Sequence, residues 1–230
     1  MEKTFPKGKR QEIIMKKIAV IFDMDGVLFD SESVYIEGYI KYASDYPDIR
    51  ETSLSCIGAN GIKTREIFAE KYGEDFPFDA YYRQVKAYVA SHPVPLKPFV
   101  HEILGWCRAQ GVPTALASST RQESVMRMLG EAGLTGYFDL IVCGDMVSHS
   151  KPHPEIFLVA AERLGIQPGD CYVIEDSYNG IRAAHAAGMH PLMVPDILQP
   201  DGEIKALCEA VLPNLREVIE YVKGVCRDGQ

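Results

Sequence analysis

Five short runs, KIAVIFD, VPTALASS, DLIVCGD, CYVIEDS and HPLMV, are apolar at nearly every position and alternate with stretches of helical spacing. A strand that is apolar throughout needs cover on both faces, and strands that alternate with helices run parallel. The rhythm therefore predicts an α/β fold with a doubly wound, Rossmann-like parallel sheet. In such sheets ligands bind beyond the carboxyl ends of the strands. Most of the runs carry Asp, Glu or Ser at that end.

One interval breaks the rhythm. Between the first run and the second, the chain is rich in Tyr, Glu, Lys and Asp. Helical periodicity appears there in SESVYIEGYIKYASDY, KTREIFAEKYG and FDAYYRQVKAYVASH, with no strand-like run. We expect an inserted helical cap over residues 32–96, closed by the Pro-rich HPVPLKP hinge, on a core formed by residues 1–31 and 97–230. From about Pro213 onward, NLREVIEYVKGV has the spacing of a helix that closes one flank of the sheet.

The chain has 230 residues and 47% hydrophobic content, enough to bury a core without covalent staples. Its 24 basic and 32 acidic residues give a net charge of −8, which argues against an electrostatic grip on nucleic acid or anionic lipid and for a small-molecule partner. Six separated cysteines without a CxxC pair read as reduced core thiols of a cytoplasmic protein. The N-terminal MEKTFPKGKRQEIIM is basic and broken by Pro and Gly, so it reads as a loose leader. A capped chain of this size is expected to work as a monomer.

The first run ends in Asp23, Met24, Asp25, Gly26. Side chains at i and i+2 of a strand share a face, roughly 6–7 Å apart at about 3.3 Å per residue. Two carboxylates so placed can divide labour, one attacking and ligating a metal, the other moving protons. Mg²⁺ takes one or two protein carboxylates plus phosphate oxygens, which suits this pair. Three other strand ends offer complementary groups. Ser118 can donate to a phosphoryl oxygen, Lys151 can offset the charge of phosphate and nucleophile, and Glu175 with Asp176 can complete the metal's ligands. Each has an ordinary alternative, as helix cap or surface charge; together they compose a phosphate site. Gly26, Gly180 and Gly188 read as residues for close turns and packing.

At this point the sequence resembles the haloacid dehalogenase superfamily of phosphohydrolases, in particular its β-phosphoglucomutase-related branch with a helical cap after the first strand. DMDGVLFDSE is similar to the first motif of that family, SST to the second, SKPHPEIF to the third and IEDSYNGIRAAHAAGM to the fourth, over nearly the whole chain from about Lys17. The resemblance implies that Asp23 is the nucleophile and Asp25 the general acid and base, its backbone carbonyl also on Mg²⁺. It implies that Ser118, Ser119 and Lys151 hold the phosphoryl group and that Asp176 with Glu175 holds the metal. A phosphatase acting on a small phosphorylated metabolite, a sugar phosphate above all, is the first expectation.

Departures from the family bear on the rivals. Ser150 replaces the usual Gly before Lys151, for which a small backbone adjustment suffices. Tyr35 stands where mutase-type members keep a His, and IGANGIKTREIF lacks their Arg after the glycine, although Lys63 and Arg65 lie close by. These weigh against a sugar phosphomutase. Tyr35, Lys63, Arg65, Thr120 and Arg121 remain candidates for contacts with the rest of the substrate. A signalling module that merely carries phospho-aspartate is disfavoured by Asp25, which would speed loss of the phosphoryl group. His149 and His153 flank Lys151, but Pro152 and Pro154 interrupt any helix that would align them, so the pair is set aside as a zinc site.

Overall fold

The structure is a computed structural model and describes residues 18–228; the N-terminal leader expected from the sequence lies outside the described residues. Six strands form one parallel sheet. They are β1 (Ala19–Phe22), β2 (Thr114–Ser118), β3 (Leu140–Cys143), β4 (Cys171–Glu175), β5 (His190–Met193) and β6 (Ala210–Val211), in the order β3-β2-β1-β4-β5-β6. β1 is central: Phe22 lies beside Leu116 of β2 and Ile174 of β4. The order reverses on either side of β1, so the crevice of a doubly wound sheet opens at the carboxyl end of this strand, where Asp23 follows.

Strand alternation divides the core. Val20 and Phe22 face one side, packed with Ile103 and Leu104 of α5 (Val100–Gln110), Val125 and Leu129 of α6 (Gln122–Glu131), and Val218 and Val222 of α10 (Leu215–Asp228). Ala19 and Ile21 face the other, against Phe157 and Ala160 of α7 (Glu155–Leu164) and Ala183 and Ala184 of α8 (Tyr178–Ala186). Each fully buried Val, Leu, Ile or Phe contributes about 1.5–3 kcal/mol. The expected C-terminal helix is α10, and it packs on the Val20 and Phe22 side of the sheet. The sixth strand escaped the sequence reading because two residues carry no period; it pairs with β5 through Leu192 and Met193.

The interval without strands holds α1 (Ser31–Tyr42), α2 (Ile49–Leu54), α3 (Gly61–Tyr72) and α4 (Phe78–Ser91). These helices pack around their own aromatic cluster, with Phe68 at its centre beside Tyr39, Phe76, Phe78 and Tyr81. The chain leaves and re-enters the sheet half through two linkers bonded to each other. Asp30 N–H donates to the Pro95 carbonyl at 2.9 Å, and Lys97 N–H to the Leu28 carbonyl at 2.9 Å. All six cysteines are unpaired, as a reduced chain requires. Among the described residues no helix is long and apolar enough to cross a membrane. A short helix, α9 (Gly202–Leu207), precedes β6.

Candidate active site

The carboxyl ends of β1, β2 and β4 bring the sequence-derived residues together. Lys151 reaches in from the bend before α7, and its ammonium donates to Asp23 Oδ1 at 2.5 Å, Glu175 Oε1 at 2.6 Å and the Ala117 carbonyl at 3.0 Å. All four residues are buried. Burial alone would lower the lysine's proton affinity, but the two carboxylates raise it above the ordinary lysine value, so Lys151 is held as a cation.

Asp23 and Asp25, two residues apart, occupy different surroundings. Asp23 is buried, and burial pushes its carboxyl up to about 8; the Lys151 charge opposes this while Glu175 and Asp25 add to it. Asp25 is turned away onto hydroxyls. Ser31 Oγ donates to its Oδ1 at 2.5 Å, and Thr120 Oγ1 donates to its Oδ2 at 2.9 Å, with Ser118 Oγ at 3.4 Å. The chain thus carries one carboxylate beside a buried cation and one held at a distance by neutral donors, the separation that splits a nucleophile from an acid-base group.

A second acidic group lies beside Asp23. Ligand atoms of Asp23, Glu175 and Asp176 fall within 4.8 Å of one another, all three residues buried. Burial, then Glu175, Asp23, Glu32 and Asp196, hold the Asp176 carboxyl well above its ordinary range. Asp196 Oδ2 is buried without a hydrogen-bond partner. This surplus of buried negative charge on hard oxygens fits a small divalent cation such as Mg²⁺. Glu175 has other work within the group. Its Oε2 accepts the backbone N–H groups of Asp176 and Ser177, both at 3.1 Å, and the Ser177 hydroxyl at 3.0 Å, while Oε1 accepts Lys151. Asp176 is therefore the freer ligand. Two glycines give these carboxylates room: a Cβ at Gly26, whose φ is +76°, would overlap the Asp176 carboxylate, and one at Gly180 would overlap that of Glu175.

The candidates for remote substrate contacts separate. Thr120 faces the site and is engaged with Asp25. Tyr35 is half-buried on α1; its phenol is raised above the ordinary range by burial, then by the neighbouring Tyr82, Asp25 and Glu32, which locates it near the acidic groups. Ser119 is half-buried beside Ser118, and Arg121 is exposed at the start of α6. Lys63 pairs with Glu66 at 2.9 Å and Arg65 with Asp79 across the α3 and α4 surface, so the partners of both are residues of the helical insertion, not of the acid site.

Sequence reasoning missed Ser31, Ser177 and Glu32. Glu32 follows DMDGVLFDS directly, and its Oε1 accepts the Gly58 N–H at 3.2 Å. Burial pushes its carboxyl up to about 8, with Asp25, Asp23 and Asp196 adding and Gly58 opposing. Gly58 in turn sits against Ser177, where a Cβ would come within 2.6 Å of the serine's own. The one sequence signal for Glu32 was its place in the run after Asp25; its contact with Gly58 had none.

The sequence model of haloacid dehalogenase-like hydrolases matches residues 20–194. The phosphorylated carbohydrates phosphatase of Thermotoga maritima is 34% identical over 215 residues, 90% of this chain and 99% of that protein. The fructose-1-phosphate phosphatase YqaB of Escherichia coli K12 is 33% identical over 177 residues, covering 74% of this chain and 92% of its own length. Among solved structures, the beta-phosphoglucomutase of Clostridium difficile superposes with a TM-score of 0.75 at 22% identity, over 93% of this chain and 98% of that one, a likeness of fold.

Proposed function

Because the chain belongs to the haloacid dehalogenase-like hydrolase family and is a phosphohydrolase of it, we propose that it hydrolyses a small phosphorylated metabolite, a sugar phosphate, through a phospho-Asp23 intermediate. The observation that carries this reading is the unequal setting of two carboxylates, Asp23 against the Lys151 ammonium and Asp25 on the hydroxyls of Ser31 and Thr120. The named activities of the 34% and 33% identical relatives support the substrate class.

In the first step an Asp23 carboxylate oxygen attacks phosphorus, the bond from phosphorus to the substrate oxygen breaks, and Asp25 gives its proton to the departing alcohol. In the second, water attacks the phosphorus of phospho-Asp23, Asp25 takes the proton, and inorganic phosphate leaves with Asp23 restored. Lys151 offsets charge on the nucleophile and on the phosphoryl oxygens, and Ser118 with Ser119 donates to those oxygens once Ser118 is released from Asp25. Glu175 positions Lys151 and the turn of Asp176. Asp23, Asp176 and the Asp25 carbonyl are the ligands for Mg²⁺, which supplies charge neutralisation at the transferring group.

The segment 32–96 serves as a cap over a core of 1–31 and 97–230, and its loop around Gly58 meets the core at Ser177. Tyr35 at the mutase histidine position favours hydrolysis over phosphomutase chemistry. One chain carries the whole site, so a monomer suffices. The net charge of −8 and the unpaired cysteines support a cytoplasmic enzyme without nucleic-acid or membrane partners.

The test is phosphate release from a panel of sugar phosphates, nucleotides and an aryl phosphate, with Mg²⁺ or chelator, beside Asp23→Asn. Mg²⁺-dependent release that falls roughly 10⁴-fold or more in Asp23→Asn is expected. Isomerisation of a sugar phosphate without release would replace this reading with the mutase one.

A further inference from the structure

Among the described residues two groups of three side chains place metal-ligating atoms within 4.8 Å of one another: the buried Asp23, Glu175 and Asp176, and the outward-facing His149, His153 and Glu155. The second lies on the same bend as Lys151 and has no part in the chemistry above. We propose that His149, His153 and Glu155 form a binding site for a zinc-class divalent ion, on the solvent side of the bend whose inner side delivers Lys151 to Asp23.

The bend, not a helix, assembles these residues. Pro152 and Pro154 bracket His153; Pro154 is the N-cap of α7 with φ −74°, and a residue before proline is kept out of the helical region, so the chain does not wind until Glu155 opens α7. The result sets the two imidazoles beside each other, tilted, with ring centroids 4.5 Å apart and planes at 31°. Glu155 Oε2 lies 2.7 Å from His149 Nδ1 and 4.0 Å from His153 Nδ1. The carboxylate is oriented beforehand, since its two oxygens accept the backbone N–H groups of Ser148 at 2.8 Å and His149 at 2.9 Å. Supports of this kind fix a first-shell ligand in place.

Zinc holds nitrogen and carboxylate oxygen at about 2.0–2.2 Å, which sets ligand atoms of a tetrahedral site about 3.3 Å apart. The observed spacings lie on both sides of that value, so small rotations about the exposed histidine side chains complete the set. The ion displaces the 2.7 Å hydrogen bond between His149 Nδ1 and Glu155 Oε2, whose proton goes to solvent, and the 3.3 Å contact between Glu155 N–H and His153 Nδ1. Two imidazoles and one carboxylate select zinc-class ions over Mg²⁺, which keeps to oxygen ligands. The two groups therefore sort metals, hard ions inward and borderline ions outward. With His149 65% and His153 50% exposed, the ion has an entry path and a fourth position open to water or another ligand.

Equilibrium dialysis of the full chain against Zn²⁺ in excess Mg²⁺ tests the site, with Co²⁺ absorption as a second readout of tetrahedral nitrogen and oxygen coordination. The expected result is one zinc per chain, weakened by about 100-fold or more in His149→Ala/His153→Ala, beyond the 10–100-fold typical of losing a supporting contact. Asp176→Asn, which alters only the inner group, should retain that zinc. Thermal unfolding followed by Trp106 fluorescence reports whether each variant is folded. Absence of zinc from the wild type, equal binding by the double histidine variant, or loss in Asp176→Asn would each overturn the proposal.

Discussion

The sheet half and the helical insertion use polar groups in opposite ways. In the sheet half the charged side chains at the strand ends are buried and bound to one another: Lys151 has three acceptors, and Glu175 has an ammonium, two backbone N–H groups and a hydroxyl. In the insertion the ionic pairs are in water, as with Lys63–Glu66 and Lys71–Asp48, and the interior is aromatic. Buried networks are costly to disturb because an orphaned charge has no water to turn to, whereas exposed pairs contribute little. The buried group at the strand ends therefore tolerates few changes, whereas the exposed pairs of the insertion can vary at little cost.

Four experiments press on that contrast, in order of expected size. Asp25→Asn replaces the proposed acid-base group, which accepts hydrogen bonds from the hydroxyls of Ser31 and Thr120, and should lower kcat by about 10²–10⁴-fold with the fold intact; a loss below tenfold would hand the proton to another group. Phe68→Ala empties the centre of the aromatic cluster and should cost about 3–5 kcal/mol. The single tryptophan, Trp106, packs against the sheet core. If the insertion unfolds on its own, the tyrosine signal melts well below the Trp106 signal; coincident shifts would show one cooperative unit.

The third experiment concerns pH. Asp23, raised to about 8 by burial, and Asp176, raised by the same cause, bind protons more tightly in the folded than in the unfolded chain. The contribution of these two groups to the stability of the metal-free protein is therefore fully present below the ordinary carboxylate range and is lost as pH rises from about 4 through about 8. Mg²⁺ should restore Tm most at the upper end, an effect that scans with metal and with chelator would measure; a metal-free Tm flat across the range would contradict the picture of buried surplus charge. The smallest effect is expected from Lys63→Ala, whose partner is the exposed Glu66. It should leave kcat/KM within about twofold, and a large rise in KM would bring Lys63 to the substrate after all.

Much of this was legible in the residues. Runs apolar at every position announced a covered parallel sheet, and Asp23, Ser118 and Glu175 were visible as their terminal polar residues because strand ends face the ligand crevice. β6 and α2 were not, having too few residues to show a period. Lys63 and Arg65 stood near the cap loop in sequence, but helical geometry turns them to Glu66 and Asp79. The outer histidines were discounted for lack of a helix, whereas the proline-bounded bend supplied Glu155 as the third member.

The sequence by itself determined the sheet, its order of chemistry along the chain and the two aspartates on one face of a strand end, because these depend on fully apolar runs and on neighbours a few residues apart. Tertiary structure alone decided which partners those groups received. Lys151 meets Asp23 across 128 residues, and Thr120 meets Asp25 across 95. Contacts of that separation depend on how strands are ordered and where loops turn, and only the folded chain contains that information.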